Sequence, residues 1–319
     1  MNDSLRRILA KAGPFLGLIL VIAFFSIPGE SRDAFLSYPN FRIILTQTVL
    51  VAIGALGMTM IIVSGGIDLS AGSSVAFASV VGASLLKSGY GSLTSAVLVV
   101  LAGAGIGLLN GTMIAALRLT PFIITLGTMS IIRGSGKGAA LNQTVNYPGS
   151  PAINEWMTSD PLGYGLPAGV WVALALAVAT SVVLRNTVFG RQIFALGSNE
   201  ATARLCGVPT TRTKVLVYTI AGGLFGLAGV FQLSRLRQGD PTVALGLELD
   251  MIAAAVIGGA SLSGGVGTVL GTMIGALVIA TLRNGSQQMG WPTHFQEIII
   301  GVVIILAVLV DRLRQGRQT

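Results

Sequence analysis

Side chains able to do bond chemistry are few in this 319-residue chain, and they stand apart. There is one histidine, His294, and one cysteine, Cys206. A single histidine cannot build the usual multi-histidine metal site, and a single cysteine cannot close an internal disulfide. No G-x-x-x-x-G-K-[ST] phosphate loop occurs. "GGASLSGGVGTVLG", at 258–271, has glycines without the lysine and lies in an apolar run. No catalytic constellation is left, so the chain reads as a non-enzyme with no metal and no cofactor of its own. The acid with the most unusual setting is Asp68, in "VSGGIDLSAGSSVAF" at 63–77, between two apolar runs. A carboxylate there could carry ion coupling. A secondary transporter or channel needs several ionisable groups in mid-membrane, and beyond Asp68 there are almost none.

The elements that must hold these residues are membrane helices. The chain is 52% hydrophobic and 10% charged, against about 25% charged residues in a soluble domain, and its mean hydropathy is +0.80. The 43 glycines agree, because membrane helices tolerate glycine. The net charge of +8 fits cationic cytoplasmic loops better than nucleic acid. Arg6, Arg7 and Lys11 precede "PFLGLILVIAFFSI", which resembles a signal peptide without a clear cleavage site and reads as an uncleaved first span.

Crossing the bilayer takes roughly 20 apolar residues. Ten segments qualify, near 12–28, 41–63, 71–87, 92–117, 120–138, 167–185, 215–234, 250–262, 266–283 and 295–311. The third, fifth and eighth are short or interrupted. Such breaks survive at membrane depth only when buried in protein or lining a water-filled cavity. With the N-terminus inside, Arg118, Arg185, Arg191, Arg204, Arg212, Lys214, Arg312, Arg314 and Arg317 join the N-terminal cations on the cytoplasmic side. The external loop 140–166 has no Lys or Arg. The positive-inside rule therefore puts both termini in the cytoplasm. The expected organisation is one polytopic domain over 1–319, all-α and integral to the membrane, with about ten spans.

The motif around Asp68 has an echo, "VIGGASLSGGVGTVL" at 256–270. Aligned without gaps, Val63 meets Val256, and Gly65 and Gly66 meet Gly258 and Gly259. Leu69 and Ser70 meet Leu262 and Ser263, and Gly72 meets Gly265. Gly82 and Ala83 still match Gly275 and Ala276 further on. Internal repeats mark many transporters, with the solute route near the repeat interface. With six spans between the copies they face the same way; a count differing by one inverts the repeat. Paired glycines let a helix break or two backbones approach closely. Short hydroxyls such as Ser70, Ser73, Ser261 and Ser263 can answer the exposed backbone groups. For Asp68 the preferred reading is an N-cap in a turn at the cytoplasmic interface, because a buried intramembrane charge is costly. The other reading places it on a gating or subunit-contact surface.

The longest cytoplasmic loop, 186–214, contains "SNEATARLCG". It reads as a short helix with Ser198 or Asn199 as N-cap, Glu200 in the first turn, and Gly207 with Pro209 ending it. Ala201, Leu205 and Cys206 would form a small apolar surface. Such a helix is either a docking element or an ordinary loop helix.

Four motifs in order, "GMTMIIVSGGIDLSAGS", "FGRQIFALGSNEATARLCGV", "LELDMIAAAVIGGASLSGGVGTVLGTMIGALV" and "LRNGSQQMG", resemble the permease subunits of bacterial ribose-type ABC importers, within the branched-chain amino-acid and sugar permease superfamily. The resemblance runs from about residue 40 to the C-terminus. It implies a type II importer-like fold and ATP-driven alternating access for a small sugar or polyol. Relatives serving autoinducer-2, nucleosides or branched-chain amino acids are the alternative. It implies a second permease copy, identical or a paralogue, a cytoplasmic ATPase that binds the ATP, and a periplasmic binding protein. By position, the coupling helix is Asn199, Glu200, Ala203, Arg204, Leu205 and Gly207. Thr202 stands where the family pattern has alanine. The resemblance favours docking for this helix, and it places the translocation pathway at the repeated breaks: Gly65, Gly66, Asp68 and Ser70 with Gly258, Gly259, Ser261 and Ser263.

Glu248 and Asp250, in "GLELDMIAAAV", stand at the external mouth of the eighth segment. They read as solvated helix caps or as part of an external gate contacting the binding protein. Arg235 reads as a docking cation or an interfacial snorkelling one. The amides of Gln47, Asn110 and Asn284 could bind a sugar, though interhelical bridging is commoner.

Overall fold

A computed structural model describes residues 3–27 and 32–315. Arg317 lies outside them, and the side chains of Arg6, Arg7, Lys11, Arg312 and Arg314 are likewise not described. The described residues form α-helices joined by turns and loops, the longest of them 140–167 with a 3-10 turn at Ala152–Glu155, and there is no strand among them. These are α1 (Asp3–Ser26), α2 (Arg32–Phe35), α3 (Tyr38–Val63), α4 (Ala71–Lys87), α5 (Ser92–Leu117), α6 (Pro121–Ala139) and α7 (Ala168–Asn186). Then follow α8 (Val188–Ser198), α9 (Glu200–Leu205), α10 (Thr210–Leu236), α11 (Leu247–Ile257), α12 (Val269–Gln288) and α13 (Thr293–Gln315). Each of the ten apolar segments coincides with one of these helices. Five of them, α3, α5, α7, α10 and α12, are long and apolar enough to cross a membrane by length and composition.

Helix α3 is the hub. From Val49 to Val63 it is buried throughout, and α10, α11, α12 and α7 pack around it. Its moment is blurred because apolar neighbours surround it on every side. The tightest pair is α5 with α10. Gly103, Gly107 and Gly111 on α5 lie against Gly222, Tyr218 and Val215 on α10. Four-residue spacing of small residues puts them on one face and lets the backbones touch.

Two helices stop short. At 1.5 Å per residue, α4 spans about 25 Å and α11 about 16 Å. The chain reaches them by irregular segments that run back into the bundle. Residues 237–246 descend along α4, from Gly239 beside Ser79 and Ala83 to Ala244 beside Gly72. That stretch of α4 is about 16 Å long. At the opposite end of the bundle, residues 64–70 climb inward between α3 and α4. Parts of both segments, Asp68, Ser70, Gly239 and Pro241 among them, are buried in protein, while Gly65, Arg237, Thr242 and Leu245 are exposed.

The helix breaks have the same local shape but not the register of the gap-free echo. After α3, Gly65 takes φ +84° and donates to Ile62 O at 2.9 Å, while Gly66 donates to Ile61 O at 2.9 Å. After α11, Gly259 takes φ +91° and donates to Val256 O, and Ala260 donates to Ala255 O, each at 2.9 Å. Both are glycine-terminated helix ends of the Schellman type. Gly65 therefore corresponds to Gly259, where the echo pairs it with Gly258. The next turn keeps the echo's register: Asp68 accepts the Ser70 N–H at 2.8 Å, and Ser261 Oγ accepts the Ser263 N–H at 3.3 Å. Register is lost again afterwards, because Gly72 is already helical while Gly265 is still in the longer loop 258–268, at φ +73°.

Candidate functional site

The short helix forms as its sequence dictates. Asn199 is the N-cap and its side chain accepts the Thr202 N–H at 2.9 Å. Gly207 ends the helix at φ +80°, a conformation that glycine reaches without strain. Ala203 is buried, whereas Ala201, Leu205 and Cys206 are exposed, Leu205 to 89%. A leucine this bare on a helix stub is an apolar knob without a partner in the chain. Glu200 holds the helix to α10: both its oxygens accept from Lys214 Nζ at 2.7 Å, and Arg204 lies 3.5 Å away on the same helix. The pair is part-exposed, so it orients α9 more than it stabilises the fold.

What α9 rests on is informative. Helix α8 ends at Gly197 and Ser198, one residue before the Asn199 cap. A Cβ on Gly197 would stand 2.6 Å from Gly265 N and would also press on the Val63 carbonyl. A Cβ on Gly264 would meet the Gly197 carbonyl oxygen at 2.5 Å, and one on Gly65 would meet Gly197 Cα at 3.6 Å. The Gly265 N–H donates to Val63 O at 2.9 Å. So the end of α3, the loop after α11 and the end of α8 form one glycine-packed joint. Both broken motifs and the end of α8 meet there, so the structure brings together Gly65, Gly197, Gly264 and Gly265. Gly197 was passed over in the sequence; its signal was a Gly-Ser directly before an N-cap.

Asp68 is not a cap at the interface. It is 1% exposed, and its partners are the Ser70 N–H at 2.8 Å, Ser70 Oγ at 2.6 Å and Asn110 Nδ2 at 3.5 Å. Asn110 also donates to Ser70 Oγ at 2.9 Å. Asn110 precedes the end of α5 by seven residues, about 10 Å along the helix. The carboxylate is thus buried that far inside the bundle, closed off by α4 and α5. No cation lies within ion-pair distance among the described residues. Two further bonds hold the same break: the Leu69 N–H donates to Thr125 Oγ1 on α6 at 3.1 Å, and Tyr218 of α10 donates to Ile67 O at 3.4 Å. Asn110 is therefore glue, as interhelical amides usually are. Asn284 is glue too, exchanging hydrogen bonds with Asn40 at 2.8 and 2.9 Å.

The external acids also differ from their solvated reading. Asp250 is 2% exposed and paired with Arg283 of α12 at 2.8 Å. Glu248 is half-buried against Gly72 in the first turn of α4. Neither offers a free surface to a protein partner; Asp250 ties the start of α11 to α12 through Arg283, while Glu248 Oε2 is buried without a hydrogen bond among the described residues. Arg235 alone is exposed as the sequence reading required. Asp250, Arg235 and Arg283 border a cavity of about 220 Å³ between α3, α10, α11 and α12, at the end of the bundle remote from α9. Among the described residues no group of three or more His, Cys, Asp or Glu could hold a metal.

Apolar helices of crossing length, glycine-terminated breaks and an exposed short helix joined to both of them through α8 describe a membrane transport protein. Residues 40–308 match the family described as branched-chain amino acid transport system / permease component. The chain belongs to this family and is a transport permease, not an enzyme. It is 38% identical over 307 residues to the ribose import permease protein of Escherichia coli K12, covering 93% of each chain. It is 39% identical over 311 residues to the ribose import permease protein of Bacillus subtilis 168, covering 96% of this chain and 94% of that one. It is 33% identical over 306 residues to the L-arabinose ABC transporter permease protein of Azospirillum brasilense, covering 95% and 88%. No solved structure matches the chain.

Proposed function

We propose that this chain is the membrane-crossing permease of an ATP-driven importer and moves a small sugar across the cytoplasmic membrane by alternating access. The carrying observation is the joint at Gly197, where the end of α8, one residue before the Asn199 cap of α9, packs on the end of α3 and on the loop after α11. A push on α9 reaches the two broken segments through α8. The names of the relatives point to a pentose-like solute. The chain acts as one polytopic domain crossing about ten times, with both termini and α9 in the cytoplasm. The two like-shaped helix breaks support reading the halves as copies of one unit. A second permease copy lines the route, and an ATPase takes Leu205 and Arg204 into a cleft. A binding protein delivers solute at the opposite end, beside Arg235. Asp250 and Glu248 belong to the gate there as its inner braces, not as contact residues. The test is uptake into proteoliposomes holding the permease with its ATPase and binding protein. ATP-dependent uptake supports the reading; uptake by the permease alone, driven by an ion gradient, refutes it.

A further inference from the structure

Three cations line a cavity beside α9 that solute transport leaves without a task. It measures about 660 Å³, within the range of about 300–1,000 Å³ usual for small-ligand sites. Its walls are the turn from α5 to α6, with Arg118 and Leu119, helix α9, with Glu200 and Arg204, and the start of α10, with Thr211 and Lys214. Among the described residues Glu200 is the one acid in the lining, and both its oxygens accept from Lys214 at 2.7 Å. Three cations against one acid leave a net charge of +2. Arg118 is exposed, and its guanidinium has no hydrogen bond or ion pair among the described residues. The cavity therefore calls for an anion.

The neighbours of Arg118 say which anion. Ala116 and Leu119 line the cavity and are themselves exposed, and the exposed Leu117, Phe122 and Ile123 flank them. A free phosphate or an acidic peptide gains nothing from so apolar a frame. A phospholipid lays its acyl chains on the frame and sets its phosphate among the cations, as headgroups do in basic pockets between crossing helices. We infer that this cavity seats the phosphate of an anionic phospholipid, with Arg118 as its principal contact and Arg204 and Lys214 adding to the positive field. Such a lipid bridges the α5–α6 turn to α9 and α10. A zwitterionic headgroup brings its own cation and fits less well. The inference rests on the membrane crossing proposed above, which puts these residues at headgroup level. It is tested without sugar or ATP, so it can fail while the importer reading, judged by uptake, still stands.

The test is native mass spectrometry of the full chain, released from detergent micelles carrying dioleoyl phosphatidylglycerol or dioleoyl phosphatidylcholine. The chain is expected to retain phosphatidylglycerol in preference, and equal retention of the two lipids overturns the site. Arg118→Asn removes the cation and keeps a residue that tolerates the left-handed backbone there, at φ +53°. It is expected to weaken phosphatidylglycerol binding about fivefold, and Arg118→Lys to restore most of it. Arg185→Gln, in the last turn of α7 and outside the cavity lining, should leave binding unchanged. Wild-type affinity in Arg118→Asn overturns the proposal, and so does an equal loss in Arg185→Gln, which would mean diffuse surface charge. Should Arg118→Asn fail to insert, Thr211→Glu decides. It sets an acid at an exposed wall position in the first turn of α10, which suits the helix, and should weaken binding likewise; unchanged binding overturns the proposal. Displacement of the lipid by equimolar inorganic phosphate would assign the cavity to a soluble anion, and displacement by the ATPase would assign it to that partner. Either result overturns the lipid site.

Discussion

The Gly265 N–H donates to the Val63 carbonyl at 2.9 Å, which ties the end of α3 to the loop that follows α11. Gly197, at the end of α8, fills the space beside that bond so closely that a Cβ would come within 2.6 Å of Gly265 N. A motion of α8 and α9 cannot spare this joint. Gly197→Ala is therefore expected to reduce sugar-stimulated ATP hydrolysis about tenfold, within the range of about 0.5–2 kcal/mol that coupling mutations carry. Membrane insertion should persist, because α8 is not one of the long apolar helices. ATPase assays of the reconstituted complex, read beside membrane yield, check this; full stimulation in the variant would remove the joint from the coupling route.

The turn after α9 supplies a second test. Proline holds φ near −65°, whereas Gly207 sits at +80°, so Gly207→Pro must unmake the helix end. Arg204→Glu reverses the charge of an exposed side chain beside Glu200 without touching the core. Both variants should insert normally, lose co-purification with the ATPase and lose solute-stimulated hydrolysis. Wild-type stimulation in both would exclude docking at α9.

Asp68 separates two mechanisms. Asp68→Ala leaves the Ser70 N–H and the Ser70 hydroxyl without their acceptor, at a cost of about 1–3 kcal/mol. Asp68→Asn retains an acceptor for Ser70. If the carboxylate is a brace, the asparagine variant should keep most of the uptake rate and the alanine variant should melt lower. A carboxylate that carried protons would instead make asparagine as damaging as alanine for uptake while sparing the melting temperature.

Much of the scaffold was legible because burial in lipid demands long apolar runs, and every such run proved helical. The glycine pairs at 65–66 and 258–259 marked real helix ends, since a left-handed residue there favours glycine. The depth of Asp68 was not legible. Spacing places it a few residues past a span but does not reveal that 64–70 climbs back inside, where Asn110 of another helix meets it. The Asp250–Arg283 pair spans 33 residues and depends on α11 packing on α12, which no local pattern records. The echo misled at the helix ends because α11 ends one residue later than the echo has it, and the loop 258–268 then carries extra residues packed against Gly197. Local chemistry survives such insertions, but register does not.

The α5–α10 contact allows a controlled comparison on one helix. A Cβ on Gly107 would collide with the Tyr218 carbonyl, while one on Gly105, two residues away, meets nothing within 4 Å. Gly107→Ala should destabilise the protein by about 1–3 kcal/mol, the usual cost of overpacking. Gly105→Ala should be neutral or slightly stabilising, since alanine favours helix. Thermal unfolding in detergent compares the two, and equal melting temperatures would contradict the close packing.

The single thiol reports on topology and docking without any mutation. Cys206 is exposed, and it directly follows the exposed Leu205, which the proposed function offers to the ATPase. If α9 is cytoplasmic, a membrane-impermeant maleimide should label Cys206 in inverted membrane vesicles and leave it untouched in intact cells. Because the chain has no other cysteine, the signal needs no background correction. Adding the ATPase should then slow labelling strongly, as the cleft that receives Leu205 covers its neighbour. Labelling from outside intact cells would invert the topology, and labelling indifferent to the ATPase would move the docking surface away from α9.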